Sequence, residues 1–167
     1  KSTDYETPDD WEMGYRTLGR TGLRVSEIGL GGAVLSDPDV VRYALDRGVN
    51  YFDTSHCYYG GKSEKAIGEG LKGRRDEAII TTKWCPHHIG LPFKKENFLE
   101  QLNESLRRLQ TDHVDIVLNH SVGERDDGLG VERLKLDEMH EAFEEARDAG
   151  KVRFLGASGH LSDLMKI

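Results

Sequence analysis

Two hydrophobic periods take turns along this chain: short β-branched runs that suit strands, then amphipathic stretches that suit helices. Tyr15–Leu18 and Leu23–Ser26 flank Gly19-Arg20-Thr21-Gly22, which predicts a β-hairpin plugging the bottom of the domain. Glu27–Gly31, Asn50–Asp53, Ala78–Thr82, Val114–Leu118 and Val152–Ala157 read as five strands. A first helix is capped by Asp37, holds Pro38 in its first turn, turns Val41, Ala44 and Leu45 inward, and ends at Gly48. Lys62–Leu71 predicts a second. Glu96–Leu109 repeats leucine at 99, 102, 106 and 109 with polar residues opposite, the clearest helical stripe in the chain. Asp137–Ala149 turns Met139, Ala142, Phe143 and Ala146 inward before its stop at Gly150, and Leu161 opens a further helix.

Strands separated by helices pair in parallel through right-handed crossovers. Two folds use that alternation, the doubly wound open sheet and the (β/α)8 TIM-type barrel. In Gly29-Leu30-Gly31-Gly32 the spaced third glycine of a dinucleotide fingerprint is absent, which argues against the sheet. Polar residues gather instead at the C-terminal ends of several strands, where barrels keep their chemistry. A full barrel takes about 250 residues. Residues 14–167 are therefore expected to be an incomplete barrel, a hairpin plus about five β/α units, behind a flexible acidic arm over 1–13. A missing C-terminal segment or a partner chain would cover its sheet edges.

Composition narrows the function classes. The 167 residues are 37% hydrophobic and 32% charged with a net charge of −7, and there is no basic stripe to neutralise phosphates, so nucleic acid is not expected as a partner. No apolar stretch approaches the ~20 residues of a membrane span. Lys1 in first place points to a processed, trimmed or partial chain, with the cytoplasm preferred over export after leader removal. Cys57 and Cys85 form no CxxC pair and fit no disulfide framework; they read as two small thiols in a reducing compartment.

Asp53, Tyr58, Lys83 and His120 each stand at or just past the end of a predicted strand. Each has an ordinary explanation alone: a turn cap for Asp53, a solvated ammonium for Lys83, a structural imidazole for His120. Together they place a carboxylate, a phenol, an ammonium and an imidazole on one rim, the parts of a proton-transfer site. A phenol with a pKa of about 10 is a poor acid unless an ammonium stabilises its phenolate. Lys83 is placed to do this, with Asp53 holding it, and His120 can donate to a substrate oxygen. Spacing alone does not exclude Tyr59 as the phenol. Trp84, with Leu91, Pro92 and Phe93, offers an apolar substrate wall or ordinary rim packing. Ser121–Lys135 is a lid or a solvated connector.

The chain resembles the aldo-keto reductase superfamily over residues 14–160. The resemblance rests on Tyr15–Ser26 (YRTLGRTGLRVS), Gly29–Gly32, Asp53-Thr54 with Tyr58, Ser63-Glu64 with Gly68, and Thr82-Lys83. It continues through Leu106–Leu109, Asp112–Asp115, His120, Gly150–Arg153 and Gly156-Ala157-Ser158. The resemblance implies reduction of an aldehyde or ketone by NADPH, with NADH as the other candidate, and a small-molecule carbonyl as substrate. Tyr58 would protonate the oxygen, Lys83 paired with Asp53 would ease that proton's loss, and His120 would orient the carbonyl. Gly31 and Gly32 would let the backbone approach the cofactor beside Asp53, and Ser158 would bind its carboxamide. Where many members carry Ser-Asn, this chain has Ser158-Gly159, so one carboxamide contact is lacking. The family's last three strands and its 2′-phosphate clamp would lie beyond Ile167.

Two other classes remain open at this level. His56, Cys57, Cys85, His87, His88, His120 and His160 all follow strand ends, and a metal-dependent hydrolase would use such a rim. They show no HxH or HExxH regularity, so no metal site is assigned. A regulatory or scaffold relative without catalysis is the other class; His120 and the intact quartet favour an enzyme.

Overall fold

The computed structural model describes residues 11–85, 94–120 and 135–159. Strands β1 (Tyr15–Thr17) and β2 (Arg24–Ser26) form the expected antiparallel hairpin. Leu23 and Val25 turn inward from it onto Ile116, Tyr51, Ile79, Leu118 and Phe154. Polar ties fix its position: the Ser26 amide donates to Asn50 Oδ1 at 2.7 Å, and Asn50 Nδ2 donates to the Arg24 carbonyl at 2.9 Å. Asn50 directly precedes a strand, so the hairpin closes the N-terminal end of the sheet and leaves the opposite end to the site.

That sheet has the order β3-β4-β5-β6-β7, every neighbour pair parallel. Its strands are β3 (Gly29–Gly31), β4 (Tyr51–Asp53), β5 (Ile79–Trp84), β6 (Val114–Asn119) and β7 (Val152–Ala157). Helices α1 (Pro38–Asp46), α2 (Lys62–Gly70), α3 (Lys95–Leu109) and α4 (Asp137–Asp148) connect them in turn. These are consecutive units of an incomplete (β/α)8 barrel. The arm and the helix expected from Leu161 fall largely or wholly outside the described residues. No helix among the described residues is long and apolar enough to cross a membrane.

The main core lies between sheet and helices. Phe52, Ile80, Trp84, Val114, Val117 and Val152 meet Val41, Ile67, Phe98, Leu102, Leu106, Met139 and Ala142 there. Gly68 lets α2 and α3 approach closely, since a Cβ at this position would strike the Leu109 carbonyl. Asp37 caps α1 as expected, its Oδ1 accepting from the Asp39 amide at 2.9 Å. One boundary differs from expectation in a way that matters. β5 runs on through Lys83 and Trp84, which pair in register with Leu118 and Asn119. Lys83 is therefore a strand residue, and Trp84 faces the opposite side of the sheet.

Candidate active site

β4 ends on Asp53, and its carboxylate receives Lys83 from the neighbouring strand. Lys83 Nζ donates to Asp53 Oδ1 at 2.5 Å and to the Thr54 carbonyl at 2.8 Å. The Lys83 side chain is 4% exposed against 31% for Asp53, so the ammonium is held by the protein rather than by water. The solvated-lysine explanation is ruled out here, as buried charges require partners.

Tyr58 opens a tight turn spanning Tyr58–Gly61, and its amide donates to the Ser55 carbonyl at 3.0 Å. The turn passes through positive φ at Tyr59, Gly60 and Gly61, which swings successive side chains apart. Tyr58 is half-buried against the site; Tyr59 is 54% exposed and lies against Lys62, whose Nζ is 4.6 Å from its ring centroid. Geometry thus separates two adjacent tyrosines that spacing could not. Lys83 Nζ lies 4.6 Å from the Tyr58 ring centroid, and the His120 ring meets that ring edge-on at 5.9 Å and 79°.

His120 follows β6, where its amide donates to the Trp84 carbonyl at 2.9 Å. Its Nδ1 is hydrogen-bonded with Ser158 Oγ at 3.0 Å, and the Ser158 amide donates to the Asn119 carbonyl at 2.9 Å. The structure therefore brings Asp53, Tyr58, Lys83, His120 and Ser158 together at the C-terminal ends of β4 to β7. Sequence reasoning gave no hint of the His120–Ser158 bond, because the two are joined only through the pairing of β6 with β7.

The turn is braced from behind. Thr54 Oγ1 and Ser63 Oγ share a hydrogen bond of 2.7 Å. Glu64 is fully buried and accepts from Thr82 Oγ1 at 2.7 Å and from Arg108 Nε at 2.6 Å. This clamp ties α2, β5 and α3 directly behind Tyr58. Ser63 and Glu64 were among the matched residues, but nothing in the pattern showed what they hold.

Two expectations need correction. Trp84 is 2% exposed and stacks edge-on against Phe98 of α3, with centroids 5.6 Å apart. It belongs to the core between sheet and helix, because its neighbour Lys83 already occupies the inward direction; it forms no substrate wall. Gly32 is buried, its amide donates to the Asp53 carbonyl at 2.7 Å, and a Cβ there would strike Ser63 Oγ. Its missing side chain serves protein packing. Gly31 differs: it is exposed, pairs in register with Asp53, and has open space where a Cβ would stand. Leu91, Pro92, Phe93, His87, His88 and His160, and nearly all of the Ser121–Lys135 loop, lie outside the described residues.

The phenol does not behave as the ammonium alone would dictate. Tyr58 is pushed up to about 12, first by burial and then by the negative charge of Asp53 and of the Cys57–Cys85 pair. Lys83 gives its hydrogen bonds to Asp53 and the Thr54 carbonyl, and the Asp53 charge still weighs on the phenol. The phenol is thus held protonated, ready to give a proton to a stronger base such as a developing alkoxide.

Next to it lies a thiol cluster. Cys57 and Cys85 stand 3.2 Å apart, sulfur to sulfur, and Ser55 Oγ is hydrogen-bonded with both at 3.0 and 3.3 Å. His56 Nδ1 is 3.3 Å from both Cys85 Sγ and the Lys83 carbonyl, while Gln101 Nε2 meets His56 Nε2 at 3.0 Å. Nδ1 therefore carries the imidazole proton, and burial holds His56 below its ordinary value. Among the described residues no group of three or more His, Cys, Asp or Glu side chains is arranged to hold a metal ion.

The aldo/keto reductase family profile matches residues 28–167. The L-galactose dehydrogenase of Arabidopsis thaliana is 38% identical over 157 residues, covering 86% of this chain and 48% of that protein. Among solved structures, the holo form of an aldo-keto reductase from Bacillus halodurans superposes with a TM-score of 0.72 at 34% identity, covering 93% of this chain and 53% of that one. An aldo/keto reductase from Klebsiella pneumoniae, in complex with NADP and acetate, gives 0.71 at 29% identity, covering 87% and 50%. The chain spans about half the length of the relatives it matches. On its sequence and on the placement of its strands and helices, this chain belongs to the aldo/keto reductase family, a family of oxidoreductases.

Proposed function

We propose that the whole protein reduces an aldehyde or ketone to an alcohol, using NADPH in preference to NADH. The observation that carries this reading is the Lys83 ammonium, fixed by Asp53 and lying against the face of Tyr58 while His120 meets the same ring edge-on. A carbonyl above that group would find a protonated phenol for its oxygen. His120 would orient it, and Ser158 would hold the imidazole steady through Nδ1.

The open shelf at Gly31, beside Asp53 in register, fits a nicotinamide cofactor, with Ser158 at the far side of the rim. When bound, that cofactor would supply hydride to the carbonyl carbon. Asp53 would fix Lys83, and Lys83 would stabilise the phenolate left after Tyr58 gives up its proton. Burial of the Lys83 ammonium keeps water away from its end of the pair, which strengthens its interactions. Among the described residues β3 and β7 each pair on one side only. Further sequence or a partner chain along those edges would complete the barrel.

The test is cofactor oxidation by the whole protein, followed by nicotinamide fluorescence against a panel of aldehydes and ketones. Because the Arabidopsis relative is named a dehydrogenase, the panel includes an aldose with oxidised cofactor. Turnover with NADPH exceeding that with NADH supports the reading; no turnover with any member in either direction overturns it.

A further inference from the structure

We propose that Cys57 and Cys85 form a peroxide-oxidisable dithiol whose disulfide moves Tyr58 out of its working position. This rests on the reading of Tyr58 as the acid; the thiol chemistry itself does not. The two sulfurs already touch at 3.2 Å, although they stand 28 positions apart in sequence. Cys57 directly precedes Tyr58, and Cys85 follows Lys83 by two positions. No step assigned to the reductase site uses either thiol.

The pair divides its labour by environment. Cys57 is half-buried and directly precedes the turn, whereas Cys85 is fully buried just after β5. The Cys85 thiol donates to the Cys57 sulfur, and with His120 and Ser55 this holds Cys57 far below its ordinary value. The same contact, together with burial, pushes Cys85 up. One proton is thus shared by two sulfurs, and the more accessible one is the thiolate. A thiolate that can be reached, next to a thiol that can resolve it, is the arrangement oxidation selects.

The chemistry balances with hydrogen peroxide as the oxidant. The Cys57 thiolate attacks one peroxide oxygen, the O–O bond breaks, and the departing hydroxide takes up a proton from solvent to become water. Cys57 is left as a sulfenic acid. The Cys85 sulfur then attacks the Cys57 sulfur and the S–OH bond breaks. The hydroxide leaves with the Cys85 proton as a second water. Two electrons pass from the thiol pair to peroxide, and one S–S bond forms.

Bond formation draws the sulfurs from 3.2 Å to about 2.05 Å. Cys85 is the fixed partner, because its amide donates to Gln101 Oε1 at 3.3 Å and it follows a strand paired on both sides. The shift therefore falls on Cys57 and on Tyr58 beside it. A displacement on the order of 1 Å in a reacting group costs about 10²-fold in rate. Oxidation also removes the Cys57 negative charge, which would make Tyr58 more acidic. That effect ranks behind burial and Asp53 in setting the phenol, so displacement decides the outcome.

The test treats the whole protein with hydrogen peroxide, maps its peptides without reduction, and follows carbonyl reduction in parallel. The expected result is a Cys57–Cys85 linked peptide and a rate lowered about 10²-fold, both reversed by dithiothreitol. Cys57→Ser should keep its own starting rate under peroxide. Cys85→Ser should stop at a sulfenic acid on Cys57 that dimedone traps. Absence of the linked peptide, or linkage with an unchanged rate, overturns the proposal, as does equal inactivation of wild type and Cys57→Ser. If the reduced protein turns over no carbonyl, the functional reading fails, and the linked peptide alone still decides the thiol chemistry.

Discussion

Lys83 reaches the face of Tyr58, not by extending into solvent but from inside β5, with its Nζ 4.6 Å from the ring centroid. Its hydrogen bonds go elsewhere, to Asp53 and the Thr54 carbonyl. The two ends of the Lys83–Asp53 pair should therefore respond unequally to mutation. Lys83→Met keeps the buried stem and leaves a part-exposed carboxylate that water can reach. It should lower kcat by about 10²-fold or more with little change in thermal midpoint. Asp53→Ala leaves a buried ammonium without its carboxylate. Breaking a fully buried pair costs about 3–5 kcal/mol, and the partial exposure of Asp53 puts this variant at the low end. Kinetics and urea unfolding of both variants check the asymmetry; equal destabilisation would contradict it.

Tyr58 makes a prediction about pH. Asp53, Cys57, Cys85, Lys83 and His120 face it, and burial with the negative members of that set raises it to about 12. Reduction needs the protonated phenol, so Tyr58 itself should impose no loss of rate across neutral and mildly alkaline pH. The linkage runs the same way. Between the unfolded phenol's value near 10 and the folded value the native state keeps a proton that the unfolded state has lost, so stability falls as pH rises through that window. Below it the phenol contributes no pH dependence. Phenolate absorbance, taken as the difference between wild type and Tyr58→Phe, reads the titration directly. A step near or below 10 would contradict it.

Glu64 carries a structural prediction at the back of the site. It is fully buried and accepts from both Thr82 and Arg108. Glu64→Ala strands the Thr82 hydroxyl and leaves the part-exposed Arg108 guanidinium with Ser105 and Glu104. Removal of one partner from a fully buried pair costs about 3–5 kcal/mol, and this variant should fall at the low end. Unfolding in urea should show a loss of that size. A change under about 1 kcal/mol, the size expected of an exposed pair, would mean that Arg108 finds water instead.

On the proposed reading, His120, which contacts the Tyr58 ring and bonds to Ser158, would stand on the substrate side. His120→Ala in the whole protein should impair turnover more than cofactor affinity, as read by steady-state kinetics beside fluorescence titration of NADPH. Ser158→Ala should lower turnover through the freed imidazole and also weaken NADPH binding through the lost carboxamide contact. Weaker cofactor binding with intact turnover would remove His120 from the substrate side.

How much of this was legible in the sequence depended on whether a feature is periodic. Leu99, Leu102, Leu106 and Leu109 announce α3 because burial repeats every three or four residues. Ile79 to Thr82 announce β5 because β-branched residues suit a strand buried on both faces. Where β5 stops was not legible, since Lys83 looks like a strand end while it continues the ladder. That boundary decided Trp84 as well. With Lys83 pointing inward, alternation sends Trp84 to the helices, and the period-2 rule applied one residue further would have found it. The separation of Tyr58 from Tyr59 needed φ angles that no spacing encodes. The Cys57–Cys85 contact and the Glu64–Arg108 clamp join residues far apart in sequence, through folding alone.

Tyr58→Phe in the whole protein tests the central claim most directly. It removes one oxygen and keeps the ring that Lys83 and His120 contact. The account predicts that carbonyl reduction is lost, by about 10²–10⁴-fold in kcat as expected for a general acid, while NADPH affinity and thermal midpoint stay near wild type. Carbonyl reduction surviving at the wild-type rate would contradict it.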